Sequence, residues 1–575
     1  MTATRDVESE RPVVAELRLA VLALPGLSPD SLGYYLASLG LLRVLSRKWS
    51  STRIAWRAAV LQVVAGPPTL DDLLDELVRI ASTQGESDVS KREWTQYDKA
   101  WSDAQKKGTK TKSGAPLALW QAQAQETELQ FFAAHAVPHA RVSFNPLLGS
   151  GGNAGRRDFA AGWKQAVDVL VAAPKSAKGR GKGKSEAGAT GSAFREERRG
   201  ALQALLLGQP ITCLVEKLAA GSWFSEATKL YNSGQSPARE GQVSPWAMIL
   251  ACEGLAFLAG SASRRLGARS RTVGAFPFVT QSVAPDVAGE AGRVLGEIWT
   301  PLWARPMALA ESSTLFSRGR AELRGRGAVT PAAFATAIRL RGVDAGVSEF
   351  RRFTLGRTTS ANTFEPRLTA RFSLDTGSVA ADATSPTLER VTELIEQRGF
   401  PRDRKVGQRW RFEGLRGPIE AALLEVAAEP ERSEAGIAML DAVTTALDRI
   451  DRNRGFREGK VRWEPLPLEW LPSLFADQQP GVEARLALSL VSAFPVAQPF
   501  ATFRFGVDWK GGPTYANYTH TERPPARWVW GPDDLARVLG AVLSRRLLEQ
   551  ESNTGKPQRG RAPLPATTSQ VWACA

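Results

Sequence analysis

The sequence predicts an α+β fold: a mixed α/β N-terminal half followed by a mainly helical C-terminal half. Three observations lead there. Strand-like and helix-like segments alternate at the start of the chain, and long amphipathic helical patterns take over beyond about Arg367. The composition, 43% hydrophobic and 23% charged over 575 residues, is that of a folded protein with room for several cores. Shifts in composition place an α/β domain with a glycine-rich loop over 1–173 and a flexible basic insert over 174–194. An arginine-rich central domain over 195–366, a mainly helical domain over 367–551 and a disordered tail over 552–575 follow.

The elements are justified in order. AELRLAVLAL, 15–24, reads as a strand ended by the Pro25-Gly26 turn. SPDSLGYYLASLGLLRVLS opens a helix with Ser28 as N-cap and Pro29 at the first helical position, and Leu32, Leu36, Leu39 and Leu42 mark its buried face. RIAWRAAVLQVV reads as strand, and TLDDLLDELVRIA as a helix with acids in its first turn. The Gly/Lys/Ser-rich stretches 103–116 and 174–192 have too few apolar residues to fold alone. PWAMILACEGLAFLAG, starting at Pro245, is apolar all round and predicts a buried helix. LERVTELIEQ, GPIEAALLEVAA and EAGIAMLDAVTTALDRI predict the later helices, WEPLPLEW and FATFRFGV late strands, and GPDDLARVLGAVLSRRLLEQE a last helix.

Composition also removes function classes. The three cysteines, Cys213, Cys252 and Cys574, form no CxxC pair, so neither a disulfide framework nor a thiolate zinc site is expected. Of the three histidines, His135 and His139 are split by Pro138 and lack an HExxH glutamate, and His520 stands alone, so no metal and no cofactor are expected. No Ser-His-Asp, Cys-His, paired-carboxylate or two-metal pattern emerges, and a non-enzyme is expected. The pairs Asp71-Asp72, Asp75-Glu76 and Asp533-Asp534 read as first-turn acids of helices. No apolar run reaches membrane-spanning length and MTATRDVESERP has no apolar signal region, which places the expected protein in the cytoplasm.

What remains is polyanion binding. Lys+Arg 74 against Asp+Glu 59 gives a net charge of +15. In FNPLLGSGGNAGRRDF the glycines, Gly151 and Gly152 among them, allow close backbone approach, while Asn145, Asn153, Arg156 and Arg157 offer donors beside an expected helix start. The loop is neither GxxxxGK[ST] nor GxGxxG, so it suits a phosphate backbone rather than a bound nucleotide; a structural turn with solvated arginines is the competing reading. Between Arg264 and Arg357 the cations are all arginine, at Arg264, Arg265, Arg269, Arg271, Arg318, Arg320, Arg324, Arg326, Arg351 and Arg352 among others. The planar guanidinium fork matches phosphate and the guanine edge, so the cluster reads as a nucleic-acid surface, against a solvated role for any single member. Trp299 and Trp303 in EIWTPLWARP read as core, with Arg305 at the edge.

Together these blocks resemble a known family. GLSPDSLGYYLASLGLLRVLS, FNPLLGSGGNAGRRDF, SPWAMILACEGLAFLAG, GAFPF, EIWTPLWARP, GRAELRGRGAVTPAAFATAIRLRGVDAGVSEFRRFTLGR and WVWGPDDLARVLGAVLSRRLLE, running from Gly26 to Glu549, look like the large subunit of the type I-G (formerly I-U) CRISPR Cascade complex, the Csx-seventeen family. The sequence departs from that family where Thr358-Thr359 replaces an Asn-Gly after Arg357, and the resemblance would lead one to expect a further helical segment after VWACA. The resemblance implies a non-catalytic subunit of an RNA-guided surveillance complex that reads the protospacer-adjacent motif, stabilises the R-loop and helps recruit a helicase-nuclease, while base pairing reads sequence. Its implied partners are a crRNA-containing Cascade with backbone, Cas-five-type and Cas-six-type subunits, double-stranded target DNA with its displaced single strand, and that helicase-nuclease, with no membrane. Two other classes stay open: a structural ribonucleoprotein subunit that reads no DNA, and a metal-dependent nuclease.

Overall fold

The computed structural model describes residues 20–86, 133–134, 136–138, 142–145, 147, 158–171, 187–216, 218–224, 242–263, 273–280, 294–319, 321–323, 326–341, 346–357, 364–374, 379–401, 405–406, 409–410, 414–451, 507–509 and 518–520. In chain order its main elements begin with β1 (Val21–Leu24), α1 (Leu32–Leu45), β2 (Arg53–Arg57), β3 (Val60–Val64) and α2 (Leu70–Glu86). The helices α3 (Asp158–Val171), α4 (Ala187–Leu207) and α5 (Pro245–Gly254) follow, then β4 (Val279–Thr280), β5 (Val294–Trp303), β6 (Met307–Ala308) and α6 (Leu309–Ser317). The last are α7 (Pro331–Arg341), β7 (Val347–Arg357), β8 (Phe364–Ser373), α8 (Val379–Glu396), α9 (Arg416–Ala428) and α10 (Ser433–Asp451). Helices and antiparallel sheets make a mixed α+β fold. Among the described residues no helix is long and apolar enough to cross a membrane.

The chain divides into two compact units, one of residues 1–277 with 302–318 and the other of 278–301 with 319–575. The central stretch 195–366 therefore contributes to both.

In the first unit, the sheet has the order β1-β3-β2-β6 and every pairing in it is antiparallel. RIAWRAAVLQVV is two strands rather than one: Ala58 and Ala59, at φ 47° and 63°, make the two-residue turn between β2 and β3. The sheet carries α1, whose N-cap is Ser31 and not Ser28. Ser31 Oγ accepts from Tyr34 N at 3.5 Å and donates to the Trp223 carbonyl at 2.9 Å, while Ser28 Oγ serves the preceding turn by accepting from Asp30 N. The expected apolar face of α1 is buried, but so is almost all the rest of it, because α5 lies against its other side. That contact is made through glycines: a Cβ at Gly40 would sit 1.8 Å from the Leu250 carbonyl oxygen, and one at Gly254 would sit 2.0 Å from that of Leu36. Only hydrogen side chains let the two backbones meet at this distance.

α5 starts at Pro245 behind Ser244, as the sequence predicts, and passes into a short 3₁₀ turn over Leu255–Leu258. α4 begins at Ala187, so the last part of the stretch read as a flexible insert is helical; it runs directly into the amphipathic FREERRGALQALLL, whose helix it extends. At the start of α2, Asp72 N donates to Thr69 Oγ1 and Thr69 N to Asp72 Oδ2, both at 3.1 Å, a reciprocal cap.

In the second unit, the order β8-β7-β5-β4 makes a second sheet, antiparallel between β8 and β7 and between β5 and β4. One end of it is an aromatic cluster. The Trp299 ring centroid lies 5.1 Å from Phe334 on α7 and 5.6 Å from Phe372 on β8, and Phe278 and Phe350 close the group. Helices α8 to α10 supply the helical character expected beyond Arg367, and α7, which precedes it, is tied to α8 by the Thr336–Thr392 hydroxyl bond at 2.9 Å and to α9 by Arg339, which donates to the carbonyls of Ala427 and Ala428. Trp299 and Trp303 are both fully buried, as core residues, although on a strand. Of the late elements, WEPLPLEW and the last helix lie outside the described residues, and Val507–Trp509 pairs with Tyr518–His520.

Candidate nucleic-acid interface

The glycine-rich loop leaves a short hairpin of Ala136–Pro138 and Val142–Phe144. Asn145, directly after it, is fully buried: its Nδ2 donates to the Ala134 carbonyl at 2.9 Å and its Oδ1 accepts from Leu147 N at 3.0 Å. Both ends of the amide are engaged within the chain, so Asn145 shapes the loop entry as an Asx turn, where the sequence suggested a ligand contact. Gly151, Gly152, Asn153, Arg156 and Arg157 lie outside the described residues, and α3 begins at Asp158, where a helix start was expected.

Arg264, Arg265, Arg269, Arg271, Arg320 and Arg324 also lie outside the described residues. Arg318 is exposed at the C-terminus of α6, its N–H donating to the Thr314 carbonyl at 3.1 Å. Arg326 sits on a two-residue strand paired with Glu322–Leu323.

Arg351 and Arg352 on β7 turn inward. Arg351 is 4% exposed and pairs with Glu349. Arg352 Nε and Nη2 donate to the two oxygens of Glu297 on β5 at 2.8 and 2.9 Å, and that carboxylate is 4% exposed. A bidentate fork on a buried carboxylate holds two neighbouring strands together and leaves little for a phosphate. The sequence reading of these two arginines as nucleic-acid contacts is corrected on this ground: Arg352 is engaged by Glu297, 55 residues away in sequence, and the buried Arg351 by Glu349 on its own strand.

The acids of α2 do more than cap. Asp71 and Asp75 receive Arg199 of α4, and only Asp72 closes the cap. Glu76 is buried; Arg79 donates to both its oxygens, at 3.1 and 2.6 Å, and Lys48 Nζ at 2.9 Å shares Oε2. The hydrogen bond from Arg79 and that from Lys48 hold its carboxyl below the usual range against the opposing effect of burial. In the second unit burial pushes the Glu420 carboxyl up; Arg416, bonded at 2.8 Å, opposes this, and the nearby Glu396 and Glu297 add to it.

Sequence reasoning missed a set of exposed cations: Arg47, Lys48 and Arg53 around the α1–β2 connection, with Arg305 beside them. The available signal was the lack of any acid between Asp30 and Asp71. Among the described residues no group of three or more His, Cys, Asp or Glu is placed to hold a metal ion. No model of a known protein family matches the chain, and no curated protein matches it.

Proposed function

We propose that the chain is a non-catalytic large subunit of an RNA-guided surveillance complex of the type I-G Cascade kind. In this reading it binds target DNA, recognises the protospacer-adjacent motif, stabilises the R-loop and helps recruit a helicase-nuclease, in the cytoplasm and away from membranes. The observation that carries the reading is the ordered series of sequence blocks from Gly26 to Glu549, and the net charge of +15 supports a polyanionic partner. A second reading, a structural ribonucleoprotein subunit that reads no DNA, is favoured by the inward use of Asn145, Arg351 and Arg352.

The deciding experiment assembles the guide-RNA complex with and without this chain and measures binding to duplex targets that differ only in the protospacer-adjacent motif. Loss of motif discrimination without the chain is the expected result; unchanged discrimination overturns the proposal in favour of the structural subunit. Within the assembled complex, Arg156→Ala with Arg157→Ala is expected to weaken duplex binding and to lower the log-log salt slope by about 0.9 per lost phosphate contact. Unchanged binding by that variant removes the glycine-rich loop from the proposal.

A further inference from the structure

Between Asp30 and Asp71 the sequence carries the cations Arg43, Arg47, Lys48, Arg53 and Arg57 and no acid. The fold of the first unit brings acids to this stretch from elsewhere, each shared by two cations. Glu253 Oε2 accepts from Arg43 Nε at 3.1 Å and from Arg47 Nη2 at 2.8 Å. Glu76 takes Lys48 and Arg79, and Glu311 takes Arg53 Nη1 at 2.8 Å and Arg305 Nη2 at 3.4 Å. Two of the acids lie behind their cations: side-chain exposure is 45% for Arg47 and 51% for Lys48, against 17% for Glu253 and 2% for Glu76, while Glu311 at 38% is level with Arg53 at 43%. The other acids of this part of α2 are Asp71 and Asp75, which share Arg199, and Asp72, which closes the cap with Thr69. Arg43, Arg47, Lys48, Arg53, Arg79 and Arg305 outnumber Glu253, Glu76 and Glu311, and Asp71, Asp72 and Asp75 with the one Arg199 offset that excess only in part, so the patch stays positive, with its side chains held at set positions by the acids that bond them.

Trp49 stands in the middle. It is half-buried, Lys48 Nζ lies over one face of its ring, 4.5 Å from the centroid, so a base would meet the opposite face, and its carbonyl accepts from both Thr52 N (3.0 Å) and Thr52 Oγ1 (2.7 Å), which fixes the turn. Cations flanking an aromatic ring on a rigid turn are what an unpaired nucleotide needs: phosphates meet the charge and a base face meets the ring. A duplex hides its base faces in the stack, and an acidic peptide has no use for the ring.

We propose that the α1–β2 turn is a binding surface for single-stranded nucleic acid, with Arg47, Lys48 and Arg53 on phosphates and Trp49 stacked on an unpaired base. The inference deepens the large-subunit reading, which expects both a displaced DNA strand and a guide RNA near this chain.

The test uses the full chain and fluorescent oligo-dT and oligo-U, titrated over a range of salt, with a base-paired duplex alongside. Arg47→Ala with Lys48→Ala is expected to weaken single-strand binding and to lower the log-log slope by about 1.4, at roughly 0.7 per phosphate contact. Trp49→Leu keeps bulk but removes the ring; it is expected to lose roughly five- to hundred-fold in single-strand affinity with the salt slope and duplex binding unchanged, and Trp49→Phe to recover much of the loss. Photo-crosslinking of bromouracil-substituted oligomers is expected to label the peptide containing Trp49, and the oligomer that labels it more strongly names the strand. Wild-type binding by both variants, labelling confined to other peptides, or no oligomer binding by the wild-type chain each overturns the surface while leaving the large-subunit reading intact. Failure of the motif-discrimination assay overturns that reading and leaves this surface to be judged on the oligomers alone.

Discussion

Replacing Arg352 by alanine separates a structural arginine from a nucleic-acid contact. The wild-type side chain makes two charge-assisted hydrogen bonds, 2.8 and 2.9 Å, to a carboxylate that is 4% exposed. Without it, Glu297 stays between β5 and β7 as a buried charge with its fork removed. Breaking a buried pair from one side costs about 3–5 kcal/mol, far above the 0–1 kcal/mol of a surface pair. In a unit of this size that corresponds to a melting transition lower by roughly 6–20 °C. Differential scanning calorimetry on the full chain is the suitable assay, because two compact units need not unfold in one transition and a single midpoint would mix them. Arg352→Met with Glu297→Leu removes both charges together and is expected to restore most of the loss. A shift below about 1 kcal/mol for Arg352→Ala, coupled to weaker DNA binding and a salt slope lower by about one, would refute the structural assignment.

The remaining expectations concern packing, a turn and pH. Gly40→Ala places a methyl 1.8 Å from the Leu250 oxygen, forces α1 and α5 apart and is expected to destabilise by about 3 kcal/mol or more, read by calorimetry; Gly254→Ala acts on the same contact, so the double variant should lose less than the sum. Ala58→Asn with Ala59→Gly relieves two left-handed alanines and should stabilise by about 1 kcal/mol in urea unfolding, whereas a loss would speak against this turn. Glu76, its carboxyl held low by Arg79 and Lys48, contributes stability present above the unfolded value of about 4.3 and lost as pH falls through the lower folded value; Glu76→Gln should be less stable at neutral pH and flatter in acid. Glu420 has the opposite sign. Burial raises its carboxyl, so its contribution is full below about pH 4.3 and lost as pH rises through the folded value; Glu420→Gln should lose less stability between pH 4 and 7 than wild type does.

Local signals were legible in the sequence and distant partners were not. The start of α5 follows from Pro245 alone, and α9 and α10 from helical spacing, because these depend on residues a turn apart. The β2–β3 hairpin was hidden because Ala58-Ala59 carries none of the Asn, Asp or Gly chemistry that normally marks a two-residue turn. The cap of α1 was misplaced by three residues because Ser28-Pro29 satisfies the same local rule as Ser31, and only the Trp223 carbonyl, 192 residues on, distinguishes them. Charge was visible but its direction was not. Arg352 looks in sequence like any other arginine, and Asn145 like any loop donor, until Glu297 and the Ala134 carbonyl are brought to them. The cations from Arg47 to Arg53 were readable as an acid-free stretch, yet nothing local says that Glu253, Glu76 and Glu311 are brought to them.

The route of the chain between the units also sets an order of assembly during synthesis. The first unit takes its last pieces from 302–318, after the chain has already supplied 278–301 to the second. A nascent chain ending at residue 277 lacks β6, the edge partner of β2, and lacks Trp303, whose Nε1 donates to the Ile54 carbonyl at 2.7 Å and whose ring packs edge-on to Trp56 at 4.6 Å. Until those residues leave the ribosome, the β2 edge waits uncovered, and the Trp56 ring, stacked on Tyr35, lacks its cover from Trp303. A gene cut near residue 277 would therefore yield a sticky fragment, and the first unit is better isolated by keeping 302–318 on a linker that replaces 278–301.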